Sequence, residues 1–280
     1  MRITVFQVEE NVEVVCSDRF SLADTLDCGQ AFRWEECPDG SFIGVAFGRA
    51  LKVRQEKDRI IFYNTDFEAF ESVWRGFFDL DRDYEYIRNI LEADEILKKA
   101  SEFAGGIRVL RQDPWECLCS FIISQNNNIP RIKGIINRLC ESFGEPIAEG
   151  LYSFPSAERI AELTLEDLAP LRAGFRAKYI LDAAKRVASG EIDLKKMSKM
   201  KTDAAREELM RIYGVGEKVA DCVLLFGFGR SEVIPKDVWI KRVLSELFGG
   251  ALPDFAVPYA GIAQQYLFHY ARMTKLEIGE

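Results

Sequence analysis

AREELMRIYGVGEKVADCVLLF (residues 205–226) reads as two helices broken by one tight turn. In the first helix Leu209 and Ile212 share a face at the three-residue spacing of an amphipathic helix, and the second continues as an apolar run written for burial. Gly214 and Gly216 flank Val215, so the backbone can turn sharply and leave amide N–H groups open where the second helix starts. Such a place suits one phosphate of a nucleic-acid backbone, although an ordinary helical hairpin would use the same glycines. Lys218 sharpens the choice. It stands in the first turn of the second helix, where the positive end of the helix dipole disfavours an ammonium. An amine there loses its proton more readily, and partial desolvation adds to the effect, giving a nucleophilic neutral group. The plainer alternative is a solvated lysine, or one paired with Asp221 a turn further on.

Downstream, IPKDVWIKRVLSELFG (residues 234–249) places Asp237 between a proline-marked loop and an apolar helical run, as a natural N-cap. A capping carboxylate stays ionised, which is also the state that steadies positive charge on a reacting sugar. One helix and a turn separate the two residues, enough chain for the carboxylate to return beside the amine.

Upstream, ITVFQV, VEVV, FRWEE, FIGVAF, LKVRQ and RIIFYN within residues 1–63 are short β-branched or aromatic runs separated by turn residues. After FYNTDFEAF the period changes from two to about three and a half. The expected class is α+β: an antiparallel β-rich domain over residues 1–90, packed as one body on a helical domain over 91–280. The helix-hairpin-helix lies at about 204–228. SFPSAERIAEL (residues 153–163) predicts a helix capped by Ser156, and QNNN within an apolar helical stretch predicts a helix end or surface turn, because asparagine is costly to bury.

Composition narrows the chemistry. The 280 residues are 48% apolar, enough for a sizeable core, with no repeat or low-complexity tract. Basic residues number 37 against 45 acidic ones, a net charge of -8, so any DNA contact must be a local patch. Seven scattered cysteines without a CxxC predict reduced, buried thiols, and a single histidine argues against a metal centre or serine-histidine catalysis. No metal or cofactor is expected. No apolar run is long enough for a bilayer and the amino terminus lacks a secretory layout, which predicts a cytosolic protein without membrane contact; a monomer is expected.

GVGEKVADC (214–222) followed by IPKDVW (234–239) resembles the helix-hairpin-helix DNA glycosylases, specifically the 8-oxoguanine DNA glycosylase/AP lyase branch. CGQAFRW (28–34), DPWECLCSFIISQNNNIPRI (113–132), LRAGFRAKYI (171–180) and AQQYLF (263–268) resemble the same branch in the same order. Together the blocks span most of the chain. The resemblance implies excision of 8-oxoguanine from duplex DNA, preferentially opposite cytosine, after the nucleotide is flipped into a pocket. It implies Lys218 as nucleophile, a Schiff base and strand nicking by β-elimination, with Asp237 assisting. It implies a base pocket of the Gly29 carbonyl, Cys222, Phe268 and Gln264. 8-Oxoguanine carries a hydrogen on N7 that guanine lacks, so a carbonyl acceptor there favours the lesion. Asn126 would fill the vacated space, Arg131 and Arg176 would read the unpaired cytosine, Phe175 would be the wedge, and Gly214, Val215 and Gly216 would meet the backbone. The enzyme would act at the nucleoid of a prokaryote or in a nucleus. Two departures stand out: Phe175 where the wedge is often tyrosine, and Trp239 where some relatives carry histidine. A monofunctional alkylpurine glycosylase would share Asp237 and lack the lysine. A noncatalytic DNA-binding module would need only the hairpin and a basic patch.

Overall fold

The period-two runs form one antiparallel sheet in the computed structural model, which describes residues 3–274. Its strands are β1 (Ile3–Val8), β2 (Asn11–Cys16), β3 (Trp34–Glu36), β4 (Phe42–Ala46), β5 (Arg49–Glu56) and β6 (Arg59–Tyr63), in the order β1-β2-β6-β5-β4-β3. Register places Val12 and Val53 on either side of Phe62, and all three are fully buried. Burial alternates along β2 and β6, the signature of a sheet covered on one face. The cover is α1 (Leu22–Asp27) together with α2 (Phe67–Ala69), a π-turn over Phe70–Trp74, and α3 (Arg75–Phe77). Phe70 and Phe78 meet the Phe62 ring edge-on at 5.1 and 5.6 Å.

α1 is absent from the strand pattern read in the sequence. Six residues are too few to display a helical period, yet Ser21 caps it through the Asp24 amide while Leu22 and Leu26 are buried.

The helical body comprises α4 (Tyr84–Leu91), α5 (Glu95–Ala104), α6 (Pro114–Ser124), α7 (Ile129–Phe143) and α8 (Ala157–Ala161). It continues with α9 (Arg176–Ala188), α10 (Leu194–Met197), α11 (Thr202–Met210), α12 (Glu217–Cys222), α13 (Val238–Phe248) and α14 (Ala260–Thr274). Ser156 caps α8 as its sequence predicts, accepting from the Arg159 amide. A small hairpin, Pro146–Ala148 with Leu151–Tyr152, interrupts this body and turns through Gly150 at φ +70°. Among the described residues no helix is long and apolar enough to cross a membrane.

Two clusters of buried side chains fill the molecule. One runs from Val12 to Leu80 and takes Leu110; the other begins at Tyr84 and takes Cys28 and Phe32 from the amino-terminal part. The CGQAFRW block therefore crosses between them. Gln30, fully buried in it, donates to the Thr25 and Arg108 carbonyls at 2.8 Å each and accepts from the Leu110 amide at 3.0 Å. Leaving such an amide unpaired would cost about 1–3 kcal/mol, so these bonds pin the block, Gly29 included, against the 108–110 segment. Arg33 ties the same block to α6 through Glu116 at 3.2 Å, while burial raises the Glu116 carboxyl to about 7.

Candidate active site

The hairpin forms where the glycines require it. Leu209 and Ile212 are buried, α11 ends at Met210, and the chain turns through Gly214 at φ +81°. A side chain on Gly214 would collide with the Tyr179 ring, so two constraints demand glycine there. Gly216 differs: it is the N-cap of α12, supplies no capping side chain, and faces open space where a Cβ would be. The first turn of α12 thus presents its amides outward without a side chain in the way, as an approaching phosphate needs.

Lys218 lies one position into that turn and is half-buried. Its ammonium stands 5.4 Å from the centre of the Phe121 ring on α6. Asp221 is not its partner, because that carboxylate holds Arg206 at 2.6 Å. Among the described residues no carboxylate lies within ion-pair distance of Lys218. Its neighbour is Cys222, one turn along. Burial pushes that thiol up to about 12; the Lys218 ammonium works against the shift by charge and as a donor, while the charges of Asp221 and then Asp237 reinforce it. Lys218, Cys222 and Asp237 therefore share one electrostatic neighbourhood, which Asp221 borders. Asp237 caps α13 as its sequence predicts, accepting from the Ile240 amide at 2.7 Å.

Phe121 joins this centre to the amino-terminal block. It stacks on Phe226 at 5.3 Å and meets Phe32 edge-on at 5.8 Å, three residues after Gly29. Gly29 itself has φ +79°, and only Ile129 lies near its missing side chain, so conformation rather than space demands glycine. On the other side, Phe268 of α14 meets Trp239 of α13 at 5.5 Å and 88°. One helix start thus carries both the Asp237 carboxylate and the ring that braces Phe268. Gln264 is buried a turn before Phe268 and accepts from the Gln265 amide at 3.2 Å.

The three asparagines divide their work. Asn127 donates to the Ile123 carbonyl at 3.0 Å and closes α6, and Asn128 caps α7 through the Arg131 amide at 3.0 Å. Asn126 is exposed at φ +50°, with no side-chain partner among the described residues. Asparagine tolerates that left-handed conformation better than most residues. Arg176, only 3% exposed, spends four of its five N–H groups on the carbonyls of Gln125, Asn126 and Ala173. It fastens the asparagine turn to the start of α9, and burial, then the nearby charge of Arg131, depresses it from its ordinary value. The exposed Arg131 side chain is bonded to nothing among the described residues. Phe175 projects 46% exposed beside them, with the Arg176 guanidinium 4.4 Å from its ring centre.

Gln30, Phe121 and the bracing role of Trp239 were not read from the sequence. An amide inside the apolar CGQAFRW block was the available signal for Gln30; the ring contacts join distant segments and leave no local trace. A cavity of about 750 Å³ opens elsewhere, among Trp115, Val187, Leu194 and Phe228, and none of the residues named above as catalytic or pocket candidates lines it.

Comparison with known proteins bears on this arrangement. Residues 13–118 match the 8-oxoguanine DNA glycosylase N-terminal domain, and residues 119–252 match the HhH-GPD superfamily of base excision DNA repair proteins. An N-glycosylase/DNA lyase of Saccharomyces cerevisiae is 33% identical over 259 residues, 79% of this chain, and the chain spans 66% of that relative's length. Among solved structures, MBOgg1 in complex with a low affinity DNA ligand superposes with TM-score 0.93 at 45% identity, covering 98% of this chain and 100% of the other. A Clostridium acetobutylicum 8-oxoguanine glycosylase/lyase, bound to duplex DNA with cytosine opposite 8-oxoguanine, superposes with TM-score 0.90 at 38% identity, covering 98% and 99%.

Proposed function

Because this chain belongs to the 8-oxoguanine DNA glycosylase/lyase family of the helix-hairpin-helix superfamily, we propose that it removes 8-oxoguanine from duplex DNA and nicks the resulting site. The observation that carries the proposal is the grouping of Lys218 in the first turn of α12, Cys222 at the end of that helix and Asp237 at the start of α13, beside the open hairpin. With the nucleotide flipped out, the Lys218 nitrogen bonds to C1′ of the sugar and the base leaves with the electrons of the glycosidic bond. Asp237 offsets the positive charge that develops on the sugar. The adduct opens to an imine, and loss of a C2′ proton expels the 3′ phosphate. One lysine accounts for both steps. The Gly29 carbonyl accepts the N7 hydrogen peculiar to the lesion, while Phe268 and Cys222 cover its two faces and Gln264 meets its Watson–Crick edge. Such an enzyme works where chromosomal DNA is.

Sodium borohydride tests this directly. Wild-type protein on an 8-oxoguanine duplex is expected to release the base and give a covalent adduct, with neither from the undamaged duplex. Base release without an adduct would indicate a monofunctional glycosylase, and binding without release a noncatalytic module.

The opposite-base preference is assigned to Arg131 together with Arg176; Arg176 spends four N–H groups on carbonyls, so Arg131, the guanidinium with free donors beside the asparagine turn, carries the test. Cytosine's exposed edge offers O2 and N3 as acceptors, whereas adenine sets N1 beside an N6 donor. Arg131→Ala is expected to narrow the cytosine-to-adenine preference more than it slows excision opposite adenine, with about 1–3 kcal/mol at stake. Single-turnover rates opposite each of the four bases measure it. Parallel losses across all four would make Arg131 a phosphate contact instead.

A further inference from the structure

The start of α9 and the hairpin are joined by a row of rings. Phe175 meets Tyr179 edge-on at 5.6 Å and 66°, and Tyr179 meets Tyr213 at 5.0 Å and 86°. Both ends of the row are exposed, Phe175 to 46% and Tyr213 to 55%. The middle ring fills the space that Gly214 leaves by lacking a side chain, so the row is keyed into the turn. A second tie holds it: the Tyr213 amide donates to Asp182 of α9 at 2.8 Å. Wedge and hairpin are therefore parts of one rigid piece.

Lys178 sits over this row, its ammonium 5.5 Å from the centre of the Tyr179 ring and 5.4 Å from that of Tyr213. Asp182, a turn further along α9, would be its natural partner but is engaged by Arg186 at 2.9 Å and by the Tyr213 amide. Among the described residues Lys178 forms no ion pair. In a chain whose carboxylates outnumber its cations, this ammonium is aimed by two rings and neutralised by none.

We propose that Lys178 and Tyr213 form an additional DNA-backbone subsite, which takes one phosphodiester between the wedge and the hairpin. The occupant follows from charge and from continuity: the patch joins Phe175 to the open start of α12, and a duplex reaching both must pass over it. Lys178 supplies the charge, and the exposed Tyr213 ring supplies a flat surface for the adjoining sugar. The contact carries no base information. It rests on the reading that the hairpin binds DNA.

The test is duplex binding as a function of salt for wild type, Lys178→Ala, Lys178→Arg and Tyr213→Ala. Removing one phosphate contact lowers the slope of log affinity against log salt by about 0.9 and weakens binding about five- to tenfold at 0.1 M salt. Lys178→Ala is expected to show both, equally for lesion-bearing and undamaged duplex, and Lys178→Arg is expected to restore the slope. Tyr213→Ala should weaken binding with the slope retained. An unchanged slope in Lys178→Ala, with wild-type binding intact, overturns the subsite alone. Wild-type protein that fails to bind duplex DNA overturns the subsite together with the reading beneath it.

Discussion

Lys218→Gln is expected to abolish borohydride crosslinking and to lower base release on the order of 10³-fold or more, as loss of a covalent nucleophile does in other enzymes. The lesion duplex should still bind, because the open amides of the hairpin, Asn126, Arg131 and the exposed Phe175 ring are untouched by the change. Stability should shift by no more than about 1 kcal/mol, since glutamine keeps most of the side chain beside Phe121 and no ion pair is lost. The measurement pairs trapping yield with lesion binding. Undiminished trapping in the variant would remove Lys218 from the mechanism, and a loss of binding equal to the loss of rate would make it a contact rather than a nucleophile.

Asp237→Asn separates the helix cap seen in the structure from the proposed catalytic role of the same carboxylate. Asparagine caps helices about as well as aspartate, so the bond from the Ile240 amide survives and the melting temperature should fall only slightly. An amide has no charge to set against a sugar cation. Excision should therefore slow by roughly 10²–10³-fold, in the range found when one preorganised electrostatic contact is removed from an active site. Single-turnover excision and thermal melting, measured on the same preparation, decide between the roles. A folded, fully active variant would reduce Asp237 to a cap, and an unfolded one would show that capping is its dominant work.

Much of this was legible because it is local. The alternation in VEVV and RIIFYN marks strands, and each of those runs is a strand in the structure. Asp237 and Ser156 were readable as caps because a cap satisfies amides two or three residues away, within the same stretch of sequence. The helical hairpin was readable for the same reason, since glycine, turn and amphipathic face all lie within some twenty residues. α1 was not, because its apolar pair Leu22 and Leu26 makes no repeating pattern in six residues.

What the sequence by itself determined is the succession from strands to helices, though neither α1 nor the 146–152 hairpin, and the presence of an amine, a carboxylate and a glycine turn spaced so that they could meet. Tertiary structure alone decided which partners they took. Asp221 went to Arg206, which left Lys218 without a carboxylate in contact and beside Phe121 and Cys222. Of three consecutive asparagines, packing at the ends of α6 and α7 claimed Asn127 and Asn128 and left Asn126 exposed. Two neighbouring arginines look alike as letters, yet burial bound Arg176 to three carbonyls while Arg131 stayed open to a ligand. The physical reason is common to all of these. A backbone bond is made with near neighbours in the chain, whereas the desolvation and pairing of a side chain depend on which distant segment packs against it, and no periodicity records that.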